Sequence, residues 1–206
     1  MNRRLLIVIC LVVGGFAVAA VAATPEENFK TLFGDDVRKA ALTATAKDDA
    51  ELANAFLKAC GMLADEPDLK VLLYQKAAEF GSKDPVGHAA AMKAVDMLVE
   101  TLPKRRAEWE TLRLNVRRAV YQAARGSARS DAAIAYLDQL IVVGETRNAA
   151  GQATEAIAAY RQALLLARTY RRSRVSEISA MIKLATSQVA LEKRRDALKA
   201  KVAKDP

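Results

Sequence analysis

The chain has 206 residues, with 32 lysines and arginines against 24 aspartates and glutamates, one histidine and a formal net charge of +8. A single histidine excludes histidine-based metal clusters and the paired-histidine zinc motif. Low aromatic content, many alanines and few runs of β-branched residues predict an all-α chain with no strand.

The amino terminus reads as an export signal. Met1-Asn2-Arg3-Arg4 is basic, Leu5 to Val13 is apolar, and Ala20-Val21-Ala22-Ala23 supplies the small residues that cleavage needs. The rival is an uncleaved anchor, since residues 5–23 carry no charge and just suffice to span a bilayer. Either reading puts the bulk of the chain outside the cytoplasm, in the periplasm or beyond. Cys10 lies inside the apolar run with Val8-Ile9 before it, which argues against lipidation. Cleavage after residue 22 or 23 leaves a single domain, 24–206, with Cys60 as its sole cysteine and no intramolecular disulfide. Cys60 falls between Phe56 and Leu63 on an apolar helical face, the setting of a core thiol.

A short helix from Glu26 to Phe33 is expected to stop at Gly34, with Asp35 or Asp36 capping a second that reaches Thr45. Asp48-Asp49 opens a helix striped by Leu52, Phe56, Ala59 and Leu63. The Asp65-Glu66-Pro67 break starts another, carrying Leu69, Leu72, Leu73, Ala77 and Phe80 and closed by Gly81. Asp84-Pro85 begins a helix to Leu102. After Pro103 comes a long basic helix with Trp109, Leu112, Val116, Ala119 and Ala123 at helical spacing, ended by Gly126-Ser127. Ser130 or Asp131 caps the next, to Asn148. Two more span Gln152 to Tyr170 and Ser173 to Lys204. The short connections make consecutive helices antiparallel neighbours, in a solenoid or bundle of helical hairpins.

The residues offer little for catalysis, and neither an enzymatic activity nor a cofactor is expected. His88 is isolated in a first turn. Asp35-Asp36 and Asp48-Asp49 suit helix starts better than an acid and base pair. Gly126-Ser127 lacks the surroundings of a nucleophile elbow, and no phosphate-binding glycine loop is present.

Between Leu140 and Leu164, the residues Gly144, Gly151, Ala156, Tyr160, Ala163 and Leu164 fall at the spacing of a tetratricopeptide (TPR) repeat, which this stretch resembles. The departures are Leu140 in place of an aromatic, Val143-Gly144 in place of Leu-Gly, Arg147 in place of Tyr, and Arg168 in place of the terminal proline. The resemblance covers one repeat, about residues 137–170. It implies a protein-interaction adaptor whose first repeat helix lines a concave groove, with Asp138, Ile141, Glu145 and Asn148 toward a bound peptide or partner helix.

Charge is distributed unevenly. Residues 24–102 carry 9 basic and 14 acidic residues, and residues 103–206 carry 21 and 10. Arg113, Arg117, Arg168, Arg171, Arg172 and Arg174 are expected to form a basic surface, extended by Lys193, Arg194, Arg195, Lys199, Lys201 and Lys204. Such a surface suits an anionic envelope component. Nucleic acid is an unlikely partner for an exported chain that lacks aromatic-interleaved basic motifs. The oligomeric state stays open.

Overall fold

A computed structural model describes residues 23–43, 45–63 and 66–202. The export signal or anchor, Cys10, Asp65 and Lys204 fall outside the described residues, apart from Ala23 at the signal's end. Within them there are eight α-helices and no strand, and no helix is long and apolar enough to cross a membrane. The helices are α1 (Pro25–Leu42), α2 (Lys47–Cys60), α3 (Pro67–Gly81), α4 (His88–Thr101), α5 (Arg106–Ala123), α6 (Ala128–Ala149), α7 (Ala153–Tyr170) and α8 (Val175–Val202). Single 3₁₀ turns, Pro85–Gly87, Pro103–Arg105 and Arg172–Arg174, precede α4, α5 and α8.

Gly34 does not break the first helix, contrary to the sequence expectation. Thr24 and Glu27 close a capping box: Thr24 Oγ1 accepts from the Glu27 amide at 3.2 Å, and Glu27 Oε2 accepts from the Thr24 amide at 2.8 Å. From there Phe29, Phe33, Val37 and Ala40 make one continuous stripe against the core. Burying that stripe outweighs the roughly 1 kcal/mol that an interior glycine costs a helix. Asp35 and Asp36 consequently face Arg38 and Lys39 one turn on, at 3.0 and 3.6 Å, rather than capping a new helix.

Other boundaries shift by a few residues. Asp84 does cap, its Oδ1 accepting from the Val86 amide at 2.8 Å, but the turn it caps is 3₁₀ and α4 begins at His88. The start of α6 lies at Ala128, directly after Ser127, ahead of the expected Ser130 or Asp131. Gly81 is the last residue of α3, where it is needed for space. A Cβ placed on it would lie 2.7 Å from the Gly87 carbonyl oxygen, so the end of α3 and the turn before α4 touch backbone to backbone.

Each helix packs against its sequence neighbour, and α3 and α4 also reach back to α1 and α2. The buried side chains form two clusters. The first, from α1 to α5, contains Phe56, Leu69, Leu73, Val95, Leu98 and Trp109. At one end, the rings of Phe29, Phe33 and Phe80 surround Phe56 with centroids 5.1 to 5.7 Å away. The second joins α6, α7 and α8 through Leu137, Leu140, Ala156, Tyr160, Ala163 and Ile178. Helix α5 serves both, with Trp109 and Val116 in the first and Leu114 and Tyr121 against the second.

Candidate functional site

The region singled out by the sequence is the α6–α7 hairpin. Gly151, at φ 77°, takes the left-handed conformation that the turn between the helices requires. Beyond the turn, Tyr160 of α7 lies against the bare backbone of Gly144 on α6. A Cβ on Gly144 would stand 2.7 Å from Tyr160 Cδ1 and 2.9 Å from its Cζ. Ala156 and Ala163 are fully buried on the same side of α7. The small residues therefore let two helices close around one aromatic ring.

The four groove positions separate. Ile141 is 4% exposed and belongs to the second core cluster, so it presents no side chain to a partner. The cause is the position of α6, which α5 covers on one side and α7 on the other, burying much of its circumference. Asp138 is half exposed but already engaged: its carboxylate accepts from Arg171 Nη1 at 3.1 Å and from Arg174 Nη1 at 3.5 Å. Glu145 is exposed, and Asn148 is half buried. Of the four groove positions, the exposed or half-exposed side chains are thus polar, with Glu145 the open charge among them.

The basic residues divide in the same way. Arg171 and Arg174 tie the α7–α8 junction to Asp138, and Arg174 also pairs with Glu177. Arg113 is only 19% exposed and is inserted between two carboxylates, Glu110 at 3.1 Å and Asp96 at 2.7 Å. It is structural cement between α4 and α5, not a contributor to an open surface. Arg168 and Arg172 are exposed and Arg117 is half buried. Among the described residues these three have no ion-pair partner, so the available positive charge is smaller than a count of residues suggests.

The sequence did not disclose the polar junction around Glu110. This carboxylate is 1% exposed, and it accepts from Arg106 at 3.2 Å, Arg113 at 3.1 Å and the Gln139 amide of α6 at 2.8 Å. Gln139 also donates to the Glu110 carbonyl at 3.2 Å. Satisfying every lone pair makes burial of the charge tolerable, and the junction then locks α5 to α6. The i−4 and i+3 arginines were visible in sequence, whereas Gln139 comes from 29 residues away.

A second polar and aromatic group closes the opposite end of the α5–α6 contact. Tyr121 stacks on Tyr136, centroids 5.8 Å apart, and meets Tyr170 edge-on at 6.2 Å, with the Arg129 guanidinium 4.7 Å over its ring. Tyr170 has a lowered pKa because it accepts a hydrogen bond from Tyr121 and sits beside Arg129. The solitary His88 is half buried, and burial pushes its pKa below the usual value, partly offset by the Ser82 backbone and the Asp84 charge. No group of three or more metal-ligating side chains occurs among the described residues. Compared with known proteins, the chain matches no family model, no curated sequence and no solved structure.

Proposed function

We propose that this is a TPR-like, non-catalytic adaptor that is exported and binds another protein through its helical-hairpin scaffold. The observation that carries the reading is the Gly144–Tyr160 interlock. It occurs between positions that the repeat resemblance pairs, small on the first helix and aromatic on the second, and it makes α6 and α7 a rigid platform. Fully buried Ala156 and Ala163 support the same register. A platform of this kind presents a fixed surface with little ordering cost on association. Among the four groove positions, Glu145 is the exposed charge left to a partner.

The test is affinity capture from envelope extracts across a salt series. Recovery of one defined protein that survives moderate salt supports the adaptor, and Glu145→Arg should weaken a contact made on α6. Indiscriminate binding to anionic surfaces that collapses as salt rises would instead support a polyanion binder. That second reading draws on exposed Arg168 and Arg172 and on the basic end of α8. Amino-terminal sequencing of exported material should begin at residue 23 or 24. A start at Met1 would replace cleavage with an anchor at residues 5–23.

A further inference from the structure

Helix α8 begins inside the second core and ends outside it. Ile178 and Ala185 are buried, with Val175, Met181 and Ile182 packed beside them. From Lys193 to Lys201 every side chain is exposed. On a different flank from the buried stripe, Leu184, Leu191 and Leu198 are 70%, 64% and 64% exposed. Their seven-residue spacing returns each leucine to nearly the same side of the helix, drifting only about 20° per interval. A single-file seam of this period is the pattern that one neighbouring helix covers.

The surrounding charge selects among occupants. Between residues 186 and 202 stand Lys193, Arg194, Arg195, Lys199 and Lys201 against Glu192 and Asp196. Only Arg195 has an ion-pair partner among the described residues, namely Asp196 at 3.1 Å. A second α8 laid on the same seam would bring these cations together. A lipid surface calls for a broad apolar face, commonly with Trp or Phe, whereas this stripe is one leucine wide, and α8 contains no aromatic residue. An acidic helix with its own leucine seam satisfies both the apolar stripe and the unpaired cations.

We infer that α8 docks an acidic, leucine-bearing amphipathic helix of another protein along Leu184, Leu191 and Leu198. The inference rests on the protein-binding reading above and places the contact on α8 rather than α6.

The test uses the full chain and a synthetic four-heptad peptide with leucine every seven residues and glutamate on both flanks. Fluorescence anisotropy should show binding that weakens with salt, with no binding of the same peptide carrying lysine in place of glutamate. The double variant Leu191→Asn, Leu198→Asn should lose affinity by about tenfold or more. Its melting temperature should stay at the parent value, because both side chains are already in water. Equal affinity in the double variant overturns the inference. So does leucine-dependent binding to phosphatidylglycerol vesicles without peptide binding, or leucine-dependent self-association in sedimentation velocity. A captured partner that survives the leucine substitutions but is lost with Glu145→Arg removes the α8 site and leaves the adaptor reading standing. Failure to capture any defined protein overturns the adaptor reading itself.

Discussion

At the scale of single residues, Gly144 and Ala156 show how a small side chain is read from sequence and what fixes its value in space. The repeat resemblance singled out both positions. The structure supplies the reason, since Tyr160 fills the volume beside Gly144 and Ala156 is fully buried. Gly144→Leu and Ala156→Leu should each destabilise by about 1–3 kcal/mol or more through overpacking. Urea denaturation compared with the parent chain measures this, and unchanged midpoints would place both positions away from the interface. Cys60 was legible from spacing, as a buried thiol on an apolar stripe. Burial pushes its pKa from 9.0 up to about 11, partly offset by Lys70. The folded state therefore holds a proton that the unfolded chain releases. The associated stability is complete below pH 9 and is lost as pH rises through about 11. Unfolding followed from pH 8 to 11 should show a steeper loss for the parent than for Cys60→Ala. Glu110 was the residue that spacing could not interpret, because its burial depends on Gln139 arriving from another helix.

At the scale of elements, boundaries set by local chemistry were readable and those set by packing were not. Pro67 opens α3 and Gly151 turns α6 into α7, because each residue restricts or permits backbone angles regardless of its neighbours in space. Gly34 carries no such compulsion. Its helical conformation is ordinary, and a Cβ there would meet only the flexible Lys30 Cγ, at 3.4 Å. Gly34→Ala should accordingly stabilise the chain by about 0.5–1 kcal/mol, seen as a higher melting temperature. A lower one would mean that the joint in α1 is needed. The groove face of α6 was misjudged at Ile141 for the complementary reason. The repeat resemblance turns one face of the first repeat helix toward a partner, whereas α6 is covered by both α5 and α7.

At the scale of the whole molecule, the charge asymmetry read from composition is real in sequence but is reduced by internal pairing. Arg113, Arg171 and Arg174 are committed to Glu110, Asp96 and Asp138, whereas Arg168 and Arg172 are exposed. Replacing Arg168 and Arg172 with Gln should shift the melting temperature by no more than about 2–4 °C, since exposed side chains without an ion-pair partner contribute at most about 0.5 kcal/mol each. It should also flatten the salt dependence of any anion binding. Replacing Arg171 and Arg174 should instead loosen the α7–α8 junction and lower the melting temperature, which separates the two sets in one calorimetric series.

Helix α5 is the only described helix that lines both cores, and its bond to α6 runs through a carboxylate and an amide. Cooperativity between the halves must pass along that one element. Breaking it at Glu110→Ala leaves Arg113 with Asp96 alone and Gln139 with only the backbone carbonyl of residue 110, a cost of about 1–3 kcal/mol. The variant should then open in two steps. In amide hydrogen exchange, α6 to α8 should exchange as one block and α1 to α4 as another, where the parent protects both to a similar degree. The helix that joins the two cores would thereby also set whether the molecule responds to stress as one unit or as two.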